Sequence, residues 1–195
     1  MNELDYENIV FFNLVTTGLN INSDIVQIGA IDAITGDTFE RNVFFYDTET
    51  DLNLLSEKYG YDDEKWSKTG VELNEALADF SDFALKHSDK YATSKNNTWK
   101  TSILAGFNST SFHKPILTKA FKNCEMFYPF DYRCFDVMQL AFWVYRGRTT
   151  YSLDSLLELE GIKKEGKGAL SNAIACYNLA KKILSRSWHF FVEWH

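Results

Sequence analysis

An α/β domain built on a mixed sheet, with the first three strands antiparallel and helices flanking it, is predicted by three features of this sequence. Three β-prone runs succeed one another within the first 46 residues, separated only by short turns. Beyond residue 72, segments with apolar residues at helical spacing alternate with a further short apolar strand. The 195 residues are 45% hydrophobic and 24% charged, with 16 Phe, 10 Tyr and 5 Trp against 2 Pro. Such a composition fills one sizeable core and excludes a disordered chain.

The first strand is the run Ile9-Val10-Phe11-Phe12, ended by Thr16-Thr17-Gly18. Ile25 to Ala33 is the second, and Ile34-Thr35-Gly36-Asp37 turns the chain into a third from Thr38 to Tyr46. From Glu72 to Leu85 the apolar residues Leu73, Ala76, Leu77, Phe80, Phe83 and Ala84 predict a helix with one buried face. Ser88 to Lys100 is polar and reads as a loop, and Ser102 to Phe107 as a strand. Pro115 to Asn123 reads as a helix with Pro in its first turn. Cys134 to Tyr145 is a strand end running into a helix, and Ser152 to Glu160 a short helix stopped by Gly161. Ala169 to Leu184 is the clearest helix, with Leu170, Ala173, Ile174, Tyr177 and Leu184 on one stripe. There is no repeat and no linker, so residues 1–195 read as one domain.

The formal net charge is −7, so any nucleic-acid contact has to be local. Cys124, Cys134 and Cys176 have no metal-ligand spacing and read as reduced thiols of a cytoplasmic protein. No stretch reaches the roughly 18 to 20 apolar residues that span a bilayer, and Met1 to Asn8, with three acids and no base, is not a signal peptide. The aromatic run from Trp188 to His195 is expected to dock onto the domain. Trp66 and Trp99 read as partly buried loop anchors, His87, His189 and His195 as solvated or capping, and Arg146-Gly147-Arg148 as a turn.

Three blocks carry a resemblance to a known family. The first is Val10-Phe11-Phe12-Asn13-Leu14-Val15-Thr16-Thr17-Gly18-Leu19, followed by Asp24-Ile25-Val26-Gln27-Ile28-Gly29-Ala30-Ile31. The second is Gly106-Phe107-Asn108-Ser109-Thr110-Ser111-Phe112-His113-Lys114-Pro115-Ile116-Leu117. The third runs from Leu153 through Gly161 to Lys167-Gly168-Ala169-Leu170-Ser171-Asn172-Ala173. In order and spacing they resemble the motifs of the DEDD-type 3′–5′ exonuclease superfamily, the group that includes the proofreading subunits of bacterial DNA polymerases. The resemblance covers Val10 to about Leu184 and implies a ribonuclease-H-like sheet.

It also implies which positions would hold the acids, and none is acidic. Asn13 and Val15 stand at the first motif's Asp and Glu, and His113 at the second motif's Asp. Lys167 takes the place of the third motif's His and Asn172 that of its Asp, while the Tyr variant's position is Gly168. The family's chemistry is two-metal hydrolysis, in which carboxylates hold two Mg²⁺ or Mn²⁺ ions. Asn offers a neutral carbonyl, Val nothing, His is a poor Mg²⁺ ligand and Lys repels a cation. No metal and no cofactor are therefore expected, and no catalytic residue.

Three readings follow. In the first, a pseudo-exonuclease binds a single-stranded nucleic-acid end or a nucleotide without cutting it, through Thr16, Thr17, Gly18, Leu19, Asn108, His113, Lys163, Lys164 and Lys167. In the second, the scaffold serves a protein partner as an interaction or inhibitor module. In the third, Mg²⁺ or Mn²⁺ is held by substitute acids, of which Asp47-Thr48-Glu49-Thr50 offers the nearest. Asp131, Asp136 and Asp154 are further acids near the motifs, with Asp136 read as a helix cap.

Overall fold

The computed structural model describes residues 8–46 and 50–192, with side chains described as far as Arg186. Strands β1 (Ile9–Thr16), β2 (Ile25–Asp32) and β3 (Thr38–Val43) form the expected antiparallel meander. Helices α1 (Leu52–Tyr59) and α2 (Asp63–Thr69) lead to the two-residue strand β4 (Gly70–Val71) and to α3 (Leu73–Lys86). A hairpin of β5 (Tyr91–Thr93) and β6 (Thr98–Lys100) precedes β7 (Ile103–Gly106). A π-helical turn (Ser109–His113) runs into α4 (Lys114–Asn123). The chain closes with β8 (Cys134–Asp136), α5 (Val137–Val144), α6 (Leu153–Glu160) and α7 (Ala169–Val192).

The main sheet has the order β4-β3-β2-β1-β7-β8, with β7 and β8 parallel to β1. β1 sits in the middle of the layered structure, and its side chains alternate between the two faces. Val10, Phe12 and Leu14 pack with α3 and α4, where Phe80 and Phe121 are among the largest buried side chains. Phe11 faces the other way, onto Val137 of α5, Leu156 and Leu157 of α6, and Leu179 and Ile183 of α7. β2 is buried along its whole length, which accounts for a sequence that is apolar apart from Gln27 and Asp32.

Gly29 of β2 fixes how α7 lies on the sheet. A Cβ there would stand 2.1 Å from the Leu170 nitrogen and 2.3 Å from the Ala169 carbonyl carbon, so the helix start crosses directly over the strand. Gln27, buried one register step away, accepts a hydrogen bond from Ala169 N (2.6 Å) and donates to Asn42 Oδ1 (2.9 Å). Asn42 in turn donates to Thr69 Oγ1 at 2.8 Å, which ties α2 to the same chain of contacts.

The structure departs from the sequence reading in four places. The third strand ends at Val43 rather than Tyr46. Residues 52–69 form two helices that the periodicity did not show. The polar stretch 88–100 contains the β5–β6 hairpin, so Trp99 is a strand residue, edge-on to Phe127; Trp66 is a buried helical residue, not a loop anchor. The last helix continues past Leu184 to Val192, so the aromatic run begins inside it; its side chains and Glu193, Trp194 and His195 lie outside the described residues. Among the described residues, no helix is long and apolar enough to cross a membrane.

Candidate functional site

A cleft of about 540 Å³ opens where the C-terminal half of β1 meets the π-helical turn, α1 and the starts of α6 and α7. Its edge on the β1 side is the turn after the strand. Thr16 Oγ1 donates to the Gly18 carbonyl at 2.7 Å, and Thr17 exchanges backbone and side-chain hydrogen bonds with Asp24 at 3.0 Å. Closing the turn this way leaves Leu19 projecting at the rim, 85% exposed.

Opposite, Asp136 organises the π-helical turn. Its carboxylate accepts from Asn108 N, Thr110 N and Thr110 Oγ1 at 3.0, 3.0 and 2.7 Å, and from Met138 N as the cap of α5. These bonds hold Asn108 at φ 53°, a left-handed conformation that Asn tolerates, and so start the turn that ends at His113.

On the floor, side chains from three elements form a continuous polar chain. His113 Nε2 lies 3.0 Å from the Asn13 amide, and Asn172 Nδ2 donates to Asn13 Oδ1 at 3.3 Å. Lys164 Nζ donates to Asn172 Oδ1 at 3.5 Å and pairs with Asp154 at 2.8 Å. Burial holds His113 neutral by lowering its pKa to about 4, and the nearby Asp136 offsets this only in part. A neutral imidazole has one donor and one acceptor nitrogen. Asn13 Nδ2 faces Nε2 at 3.0 Å and Leu14 N faces Nδ1 at 3.4 Å; the shorter contact, with Asn13 donating to Nε2, is the one that fits the bonds Asn13 Oδ1 and Asn172 Oδ1 accept.

The structure thus brings together Asn13, His113 and Asn172, three of the five positions at which the family resemblance puts functional groups. Thr16, Thr17, Gly18, Leu19, Asn108 and Lys164 also line the cleft. Val15 does not: it is buried in an apolar cluster with Val26, Leu55, Trp66 and Ala169. Lys167 is turned away, its ammonium donating to the Glu57 carbonyl at 2.6 Å in the last turn of α1. Lys163 is exposed and outside the lining. Asp47 and Glu49 lie outside the described residues.

The wall made by α1 was missed in the sequence. It supplies Asp51, Lys58 and Tyr59, and the opposite wall adds Tyr151. The signal was there in the helix ends: Asp51 caps Leu54 N, and Gly60 closes the helix at φ 74°. With neutral amides and a neutral imidazole on the floor, the charges of the lining are Asp51 and Asp154 against Lys58 and Lys164, which cancel.

Such a donor set does not fit the family's metal pair. Hard divalent ions require several anionic oxygens converging on one point. Here the central donors are neutral, Asp51 is committed to its helix cap, and Asp154 to Lys164. Among the described residues no group of three or more His, Cys, Asp or Glu is placed to hold a metal.

No family model and no curated protein matches the sequence. Solved structures do match the fold. A structure of exonuclease I superposes with a TM-score of 0.70 at 14% identity, covering 92% of this chain and 41% of that one. E. coli exonuclease I in complex with a dT13 oligonucleotide gives 0.69 at 14%, covering 96% and 43%. The zinc-bound E. coli exonuclease I–single-stranded DNA complex gives 0.71 at 14%, covering 96% and 42%. The chain spans less than half the length of these structures, and what it shares with them is the exonuclease, ribonuclease-H-like fold.

Proposed function

We propose that residues 1–195 form a single, catalytically silent exonuclease-fold domain that holds the end of a single-stranded nucleic acid, or a nucleotide, in this cleft without cutting it. The observation that carries the reading is the hydrogen-bonded His113–Asn13–Asn172 chain, which puts neutral groups at the three clustered positions where the family has acids. A floor without carboxylates does not repel a phosphate, and Lys58 offers it an ammonium group, with Lys164 beside it paired to Asp154. Tyr59 and Tyr151 in the walls and Leu19 at the rim give a base apolar surfaces to pack on. Exonuclease I, whose fold this chain shares, binds such a strand.

A second reading, a protein-interaction module, draws on α5. There Phe142 and Trp143 are 57% and 66% exposed, and Arg146 lies over the Trp143 ring. The third, a metal-dependent nuclease using Asp47 and Glu49, concerns residues outside those described.

The test is end-labelled single-stranded DNA and RNA incubated with the protein in Mg²⁺, in Mn²⁺ and in chelator. The silent-domain reading expects full-length label in every lane and a metal-independent gel shift that weakens with salt and with Lys164→Gln. Shortened products that disappear with chelator and with Asp47→Ala overturn it in favour of substitute acids. Intact label with no shift transfers the weight to a protein partner.

A further inference from the structure

We infer that a lysine-lined groove along the outer face of α4, separate from the cleft, is a second contact site for the backbone of a single-stranded nucleic acid, carrying the strand onward from the cleft. This rests on the reading of the cleft as a strand-end site.

Charge in this chain is unevenly placed. Against a formal −7 overall, residues 90–124 contain Lys90, Lys95, Lys100, Lys114, Lys119 and Lys122 and no Asp or Glu. Three of these lysines come together in space. The inner face of α4 (Ile116, Leu117, Ala120, Phe121) is buried in the core, so Lys114, Lys119 and Lys122 are left facing a groove of about 730 Å³. Among the described residues no carboxylate lines it. The nearest acids in sequence are otherwise placed: Asp136 is buried under the π-helical turn, Asp131 is paired with Lys90 and Arg133, and Glu125 lies beyond the end of α4.

The hydrogen bonds of the lysines leave their charge in place. Lys114 donates to the Tyr132 carbonyl and Lys119 to the Asn22 side-chain oxygen, both neutral acceptors. Among the described residues none of the three is in a salt bridge. Lys119 also lines an adjoining hollow with Asp24 and Glu72, yet three ammonium groups outside any described ion pair in one concavity of an acidic protein make a local site for a polyanion. Tyr132, 84% exposed at the groove's edge with the Arg133 guanidinium 5.5 Å from its ring centre, adds a π-face. Phosphate-tracking cations beside an exposed aromatic ring favour a single strand, with unstacked bases, over an acidic peptide.

The groove and the cleft adjoin. The turn after β1 places Leu19 in the cleft lining and Ile21 in the groove lining. The π-helical turn likewise gives Asn108, Phe112 and His113 to the cleft and Thr110 to the groove. One wall, two segments thick, divides them, so a strand whose end is in the cleft reaches the groove by crossing that wall.

The experiment measures fluorescence anisotropy of labelled dT4, the short probe for the cleft, and dT16, long enough to reach the groove as well, across a KCl series. It uses the whole chain and a Lys119→Gln/Lys122→Gln variant whose circular dichroism matches the parent. The inference expects dT16 to bind more tightly than dT4. The double variant should bring dT16 down to dT4's affinity, make its log–log salt slope shallower by about 1.4, and leave dT4 unchanged. Equal binding of dT4 and dT16, unmoved by the variant, overturns the groove and keeps the cleft. Lysine-dependent binding of dT16 with none of dT4 keeps the groove and overturns the cleft. Binding of neither overturns both, and displacement of dT16 by polyglutamate of equal charge replaces the strand with an acidic protein.

Discussion

His113 is where burial, protonation and the proposed loss of chemistry meet. Its imidazole is neutral in the folded protein because desolvation lowers its pKa from the usual value near 6.5 to about 4. The unfolded chain therefore takes up the proton first. The associated stability is fully present above pH 6.5 and is lost as pH falls from there through 4, amounting to about 3 kcal/mol at the acid end. Urea midpoints compared at pH 7.5 and 4.5 should fall for the parent and fall much less for His113→Gln; an equal fall in both contradicts a neutral buried imidazole. Asp131, which Arg133 holds well below the usual carboxylate range, loses its contribution at lower pH and does not mask the difference. Val15 gives a second prediction. Since it packs against Leu55 and Trp66, placing by Val15→Glu the acid that the family resemblance expects here should cost several kcal/mol in chemical denaturation, well beyond the roughly 1 to 2 expected for Val15→Ala. The sequence blocks located Asn13, His113 and Asn172 because each sits in a stretch whose spacing is fixed by a strand, a turn or a helix start. They could not show that Val15 is covered, since its partners come from α1 and α2, or that Lys167 points away. That depends on backbone rotations at Gly166 (φ 75°) and Gly168 (φ 94°) that only glycine adopts freely.

At the scale of elements, the contact between β2 and α7 positions Asn172 over β1. Gly29→Ala puts a methyl group within 2.1 Å of helix backbone, which cannot yield as a side-chain end can, so the helix start must lift from the sheet. We expect a loss of several kcal/mol by urea unfolding, whereas Gly36→Ala, in open space, should show only the smaller cost of its positive φ. A near-neutral Gly29→Ala contradicts the close crossing. The same contact explains the Ile28-Gly29-Ala30 sequence in physical terms, as a strand that a helix end must touch. Elements with a continuous apolar face were legible: the meander, α3, α4 and α7 all announce their period. α2 was not, because Trp66 is its one buried residue and no period can be read from a single position. The β5–β6 hairpin has three residues a strand and a single apolar pair, Ala92 with Trp99, and the π-helical turn depends on the distant Asp136, so neither left a local pattern.

Across the whole molecule, the question is whether the helices that complete the cleft are part of one cooperative unit. β1 contributes to all three apolar clusters: Phe12 with Phe80 on one face, Phe11 with Tyr177 on the other, and Val15 with Leu55 and Trp66 at its end. Trp66 also donates from Nε1 to the Val26 carbonyl at 3.2 Å, pinning α2 to the interior strand β2. A sheet whose central strands belong to every core should unfold as one domain. The fluorescence that a Trp66→Phe variant lacks reports on α2, while far-UV circular dichroism reports on the whole chain. The two urea transitions should coincide in midpoint and steepness. An earlier fluorescence transition would mean that α1 and α2 melt by themselves. Because α1 carries Asp51, Lys58 and Tyr59, melting it would dismantle one wall of the cleft while leaving the His113–Asn13–Asn172 floor intact. If the proposed cleft takes dT4, the two cases respond differently to it: in a single unit dT4 raises both transitions together, whereas a separate α1–α2 unit is raised first and alone.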